Sequence, residues 1–252
     1  MDWKTQAIKR AIDIAGASVG LAITAPLFPL IAAAVKLTSN GPIFYTQRRV
    51  ASDRRSGIAP RRAPISERRG GEPFRTFTMY KFRTMRTDAE KGRGAVLASK
   101  DDPRLTPIGG FLRRTRLDEL PQLMHVLSGE MSLVGPRPER PELMQKLEDA
   151  LPFFGERVRL IKPGLTGLAQ LELGYDGSPH RFSKDKDVLA QFFTAPKKPA
   201  VDGIIPQSFG NKLLYDLAYS AILESRDPWQ YLFTDLSILV RTPAAMLLGI
   251  GI

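Results

Sequence analysis

Between Ile14 and Leu37 the chain runs almost without charge, up to Lys36, through the stretch IAGASVGLAITAPLFPLIAAAV. A helix needs about 20 apolar residues to cross a bilayer, so the length suffices. Two features predict something other than a straight span. Pro26 and Pro29 stand near the middle, and each removes a backbone donor and crowds the preceding turn, which breaks or kinks a helix. Both flanks are basic, with Lys4, Lys9 and Arg10 before the segment and Lys36, Arg48, Arg49, Arg54 and Arg55 after it. Basic flanks favour the cytoplasmic side, so the segment is expected to enter the membrane, turn at the prolines and return, as a re-entrant helix hairpin over residues 1–37. A kinked transmembrane helix is the main alternative. A cleaved signal peptide shares the early basic residues and the Ala-rich end, but Asp13 and the central prolines fit it poorly. A buried core helix fits less well, because the segment has no polar face.

Beyond the hairpin, residues 38–252 read as one domain. A turn and a short strand, Ile43 to Gln47, are expected first. Residues 51–73 are rich in Arg, Pro, Gly and Ser without a hydrophobic period and read as an insertion. Residues 74–86 alternate apolar and polar side chains like a strand. Short helices are expected over 107–117, 118–128 and 139–151, then a turn at Lys162-Pro163-Gly164 leading into a strand, TGLAQL. Residues 174–210 form a second irregular insertion, 211–224 a helix, and Pro228 to Leu248 an amphipathic helix whose Trp229, Tyr231 and Phe233 suit a membrane interface. The fold class is α/β: a small sheet surrounded by amphipathic helices.

Composition narrows the chemistry. A formal net charge of +11 calls for a polyanionic partner: nucleic acid, an anionic membrane face or phosphorylated substrates. The absence of cysteine excludes disulfides, thiolate metal sites and cysteine nucleophiles. Two histidines, His125 and His180, are too few for a histidine-rich metal site.

Three stretches carry candidate chemistry. In the first, Arg113, Arg114 and Arg116 lie just upstream of the adjacent pair Asp118-Glu119. Neighbouring residues on a helix point apart, so the carboxylates suit separate roles, one as nucleophile toward phosphorus and one holding a divalent cation, with arginines gathering phosphate oxygens. An acidic pair that only complements a helix dipole is the competing explanation. In the second, alternation along a strand puts Lys81 and Arg83 on one face, a cation pair suited to a diphosphate or else to plain solvation. In the third, Pro136 and Pro138 fix the backbone about Arg137, which either pre-organises a phosphate or nucleotide contact or simply shapes a loop.

The succession YKFRTM, DDPRLTPIGGFLRRTRLDELPQL, SGEMSLVGPRPE and KPGLTGLAQ behind a proline-broken apolar segment resembles the bacterial sugar transferases, the monotopic phosphoglycosyl transferases. The resemblance covers about Lys9 to Gln170 and resumes over Lys212 to Arg241. It implies transfer of a sugar-1-phosphate from a UDP-sugar to polyprenyl (undecaprenyl) phosphate with release of UMP, the first membrane step of exopolysaccharide, O-antigen, capsule or glycan synthesis. It also implies an enzyme of the bacterial inner membrane with its catalytic domain on the cytoplasmic face, in contact with anionic lipid.

By the same resemblance Asp118 would be the nucleophile, forming an aspartyl phosphosugar, and Glu119 would help to hold Mg²⁺. Lys81, Arg113 and Arg137 would meet phosphate or nucleotide, with Asp216 a further candidate, while Arg83 is a phosphate-binding candidate through its strand face shared with Lys81. The family's helix break is a Ser-Pro pair, whereas Ala25 precedes Pro26 here, and the two insertions also depart from the pattern. A basic nucleic-acid-binding protein is the competing class, but no RNA-recognition, helix-turn-helix or zinc pattern is present. An inert membrane scaffold, the other alternative, would require Asp118 to be dispensable.

Overall fold

The computed structural model describes residues 3–53, 74–89, 91, 102–151, 153–159, 161–173, 206–224 and 228–247. Nearly all of both insertions lies outside the described residues. The chain opens with two helices, α1 (Trp3–Thr24) and α2 (Leu27–Thr38), bent by 60° at Ala25-Pro26. Among the described residues no single helix is long and apolar enough to cross a membrane; this bent pair passes together. The break is single. Pro29 falls in the first turn of α2, where no intrahelical donor is required, so it does not act as the second break expected of it. Thr24 Oγ1 donates to Gly20 O at 2.7 Å, an i−4 back-bond that bends helices and supplies a hydroxyl next to the alanine.

The absence of a polar face holds only from Ile14 onward. Thr5, Lys9, Asp13 and Ala17, spaced by four, are buried, so one stripe of α1 docks on the domain. Ile14, Val19 and Ile23 remain exposed.

Strand β1 (Phe44–Asp53) pairs antiparallel with β2 (Phe74–Phe82), with Tyr45 opposite Lys81 and an irregularity between Val50 and Ser52. β1 thus extends past the expected Gln47 into the start of the first insertion. β2 stops at Phe82, short of the expected residue 86. Its burial alternates only partly, and the change in direction after Phe82 separates Arg83 from Lys81. Next come α3 (Gly109–Arg114), a 3-10 turn (Leu117–Glu119), α4 (Gln122–Ser128), β3 (Ser132–Val134), α5 (Pro141–Ala150) and a second 3-10 turn (Phe154–Val158).

β4 (Gly164–Thr166) pairs parallel with β3. The single small sheet expected is therefore two separate two-stranded sheets among the described residues. Most of TGLAQL is α6 (Leu168–Glu172), not strand; a short apolar run fits either state by pattern alone. Close backbone approach ends β4: a Cβ on Gly164 would lie 2.1 Å from Gly135 N, and one on Gly167 2.3 Å from Gly135 O. The last helices are α7 (Pro206–Glu224) and α8 (Pro228–Leu247).

The main core joins Ala17 of α1, Phe77 and Met79 of β2, Leu123 and Val126 of α4, Leu133 and Val134 of β3, and Tyr231 and Ile238 of α8. The larger apolar side chains among them, Phe77, Met79, Leu123, Val126, Leu133, Val134 and Ile238, each contribute about 1.5–3 kcal/mol on burial. Tyr231 belongs to this core, so it does not join the interfacial aromatics; helical spacing turns it inward while Trp229, Phe233, Leu236 and Val240 stay exposed. α8 therefore has two apolar faces, one of them bare.

Candidate active site

The chain enters the site through a left-handed residue. Arg116 takes φ 56° and ψ 14°, a region where non-glycine residues are uncommon. It turns the backbone into the 3-10 turn, and Asp118 and Glu119 end at 5% and 6% exposure. Pro121 then precedes α4. The carboxylates stand before α4 rather than in its first turn, and a dipole role does not account for two charges taken out of water.

Their surroundings differ. Glu119 Oε1 accepts from Lys81 Nζ at 2.5 Å and from Arg137 Nη2 at 2.9 Å, and Oε2 lies 3.7 Å from Arg116 Nη1. Burial alone would raise the Glu119 pKa, but Arg137, Lys81 and Arg116 outweigh it and hold the group well below the ordinary carboxylate range. Asp118 Oδ1 is buried without a hydrogen-bond partner. Burial pushes its pKa up to about 6 against the pull of Lys81, and the Glu119 charge adds to the rise. One carboxylate is clamped; its neighbour carries a bare oxygen.

Several elements converge on this pair. β2 delivers Lys81, whose pKa is lowered by burial against the opposing pull of Glu119. The neighbouring Tyr80 N–H donates to His125 Nε2 at 3.2 Å, and His125 Nδ1 lies 2.7 Å from Glu130 Oε2. Nε2 accepts, so the proton sits on Nδ1 and points at Glu130. His125 thereby ties the free edge of β2 to α4. α3 delivers Arg113, whose Nε donates to Thr84 Oγ1 at 3.0 Å and whose charge acts on Asp118.

Arg137 comes from the loop after β3. Its carbonyl accepts from Arg157 Nη2 at 3.2 Å, and Arg49 Nη1 donates to Pro138 O at 2.9 Å. Arg157 is 1% exposed, with Nη2 2.7 Å from Asp216 Oδ2 and Nη1 3.5 Å from Glu139 Oε1. Asp216 therefore sits behind Arg137, reached through Arg157; burial lifts its pKa to about 6 against that guanidinium.

Arg83 is the site residue that goes elsewhere. It is buried, and its guanidinium donates to Asn40 O at 2.5 Å and Ser39 O at 2.9 Å, closing the C-terminal end of α2. The expected pairing with Lys81 fails because strand alternation ends at Phe82. Arg116, one of the three arginines before Asp118, joins the site as the sequence suggests, whereas Arg157, Arg49 and His125 carry no sequence signal for their places beside it.

Residues 4–57 and 59–249 match the family model described as bacterial sugar transferase. The chain belongs to the bacterial sugar transferase family. It is similar to the putative undecaprenyl-phosphate N-acetylgalactosaminyl 1-phosphate transferase of Bacillus subtilis, 46% identical over 60% of this chain and 73% of that protein. It is also 36% identical to an exopolysaccharide production protein of Rhizobium leguminosarum, over 73% of this chain and 82% of that one. It is 37% identical to the UDP-glucose:undecaprenyl-phosphate glucose-1-phosphate transferase of Escherichia coli, over 70% of this chain but only 33% of that protein.

For a bacterial sugar transferase the oxygen donors that could hold a cation are Asp118 and Glu119. Among the described residues no three acidic or histidine side chains gather. Mg²⁺ is typically held by one or two carboxylates plus substrate phosphates. A bare Asp118 oxygen beside Glu119 fits a cation of that kind. Lys81, Arg113, Arg116 and Arg137 already surround the two carboxylates, which disfavours a cation arriving without phosphate.

Proposed function

We propose that this bacterial sugar transferase moves a sugar-1-phosphate from a UDP-sugar to undecaprenyl phosphate and releases UMP, through a covalent intermediate on Asp118. The observation that carries the proposal is the contrast within the acidic pair: Asp118 Oδ1 buried and unpartnered, Glu119 held by Lys81 and Arg137. The names of the relatives support the substrate class.

In the first step Asp118 attacks the β-phosphorus. The bond from that phosphorus to the bridging oxygen breaks, and UMP leaves with that oxygen. In the second, an oxygen of undecaprenyl phosphate attacks the same phosphorus and the Asp118 carboxylate leaves. Splitting one transfer in two suits a weak nucleophile whose approach to phosphate is eased by nearby cations. Lys81, Arg113 and Arg137 bind and orient the diphosphate, and Arg116 keeps Glu119 anionic. Mg²⁺, held by Glu119 and Asp118, would supply charge neutralisation at the phosphate oxygens. The basic balance of the chain is then accounted for by phosphate substrates and an anionic membrane face, without nucleic acid.

The same proposal seats the bent α1–α2 pair in the cytoplasmic membrane as a re-entrant hairpin, with the domain on the cytoplasmic face. The 60° bend and the exposed Val19, Ile23, Leu30 and Leu37 support it, as does the bare stripe Trp229, Phe233, Leu236 and Val240 along α8.

The test is to incubate the protein with radiolabelled UDP-sugars, Mg²⁺ and no acceptor. A sugar-phosphate adduct on the protein, mapped to Asp118 and absent in Asp118→Asn together with UMP release, is expected. An adduct on another side chain, or release of UDP alone, would refute the proposal.

A further inference from the structure

We infer that Lys9 and Asp13 of α1 are positioning residues for Arg137, coupling the membrane-associated helix to the phosphate-gripping side chain. The inference rests on the proposed role of Arg137 at the diphosphate.

Among the described residues β3, three residues long, has one strand neighbour, β4, and its other edge takes partners from elsewhere. α1 provides them with side chains. Asp13 Oδ1 accepts from Leu133 N at 2.8 Å and from Ser132 Oγ at 2.9 Å. One turn earlier, Lys9 Nζ donates to Val134 O at 3.0 Å. The two side chains act as a surrogate strand along β3. Lys9 also reaches Tyr219 of α7 and Asp235 of α8, each at 3.0 Å, so four elements meet at one ammonium group.

From Val134 to Arg137 is three residues, about 10 Å of chain at most, with little slack. Gly135 N donates to Thr166 O at 2.9 Å and Gly164 N to Pro136 O at 2.8 Å. A Cβ on Gly135 would lie 2.4 Å from Lys162 O, and prolines flank Arg137. A displacement of β3 along α1 is therefore carried to the guanidinium at Glu119. The ion pair of Lys9 with Asp235 at 3.0 Å holds the ammonium in place between α1 and α8, and the register of α1 along β3 is set by the hydrogen bonds of Lys9 and Asp13 to its backbone.

A role that only holds α1 to the domain would use the same bonds, so the test is a double-mutant cycle on full-length protein in lipid nanodiscs. The UDP-sugar is whichever is turned over fastest among UDP-glucose and UDP-N-acetylgalactosamine. UMP release is measured for wild type, Asp13→Asn, Arg137→Lys and the double variant. Asp13→Asn is expected to lower kcat/KM about tenfold or more, since small misplacements near reacting groups have effects of that size or larger. In the Arg137→Lys background it is expected to cost less than about twofold, the energies failing to add because one residue acts through the other.

An equal factor in both backgrounds overturns the inference and leaves Arg137 in its proposed role. An Arg137→Lys protein as active as wild type removes that role, and the inference with it. Should Asp13→Asn not fold, Ser132→Ala takes its place in the cycle, because it deletes one bond and leaves Leu133 N on Asp13; a loss confined to the Arg137 background is again expected, and an equal loss in both overturns the inference.

Discussion

Arg137 and Glu119 meet at 2.9 Å with unequal exposure: the arginine side chain is 41% exposed and the carboxylate 7%. The arginine can therefore leave for a phosphate without becoming a buried orphan, while Lys81 stays on Glu119. Arg137→Ala is expected to lower kcat/KM by about 10- to 100-fold through loss of a charge-assisted contact worth roughly 1.5–3 kcal/mol, and to lower the melting temperature as well, since buried Glu119 loses the charge that does most to hold its pKa down. UMP-release kinetics and a thermal melt of the same sample check both halves.

The proton on Asp118 gives the reaction an acid limb. Burial raises this carboxyl to about 6; below that pH it is protonated and cannot attack, above it the carboxylate is present. A plot of kcat/KM for UMP release against pH, which reports the free enzyme, should fall tenfold per unit below about pH 6. A profile flat down to pH 5 would contradict this.

Divalent cation should be required for turnover but bind with the nucleotide. Chelation with EDTA is expected to stop UMP release, and added Mg²⁺ to restore it. Four basic side chains around two carboxylates predict that Mg²⁺ alone does not shift the melting temperature, whereas Mg²⁺ with UDP-sugar raises it. Isothermal titration of Mg²⁺ into the free protein, giving no binding at millimolar concentration, is the direct check.

The Arg157–Asp216 pair predicts a stability pattern. Arg157→Met leaves Asp216 buried beside Glu139 without its guanidinium, a change of about 3–5 kcal/mol and roughly 10 °C in melting temperature for a chain of this size. Arg157→Met combined with Asp216→Leu should recover most of that loss but not activity, because Arg137 O keeps no partner from Arg157.

The bare face of α8 should hold the protein to lipid. Phe233→Asp with Val240→Asp, both well exposed, is expected to weaken binding to vesicles containing anionic lipid while the melting temperature holds. Tyr231→Asp, on the opposite face, should instead unfold the core. Vesicle sedimentation beside a melt separates the two faces.

Most elements were legible because local pattern decides them. The break at Pro26, the strand from Phe74 and the helices α5, α8 and α7 from residue 211 onward follow from backbone donors, alternation and helical spacing, while the start of α7 at Pro206 falls in the stretch expected to be irregular. The acidic pair, the arginine run and the proline-flanked Arg137 were equally visible as candidates. TGLAQL reads equally as strand or helix because a run with only three apolar side chains, Leu168, Ala169 and Leu171, is too short to show a period. Arg83 was misplaced because alternation says nothing about where a strand stops.

What the amino-acid order determined alone was the set of reactive groups and the family they belong to, since motif residues and their spacing are local properties. Which carboxylate is clamped and which is bare, that Arg83 closes α2 while Arg116 turns toward Glu119, and that Lys9 and Asp13 complete β3 were decided only by tertiary structure. Those facts depend on side chains brought together from positions up to 226 residues apart. Desolvation and charge pairing, which set the chemistry of a carboxylate, exist only once such distant groups share one interior.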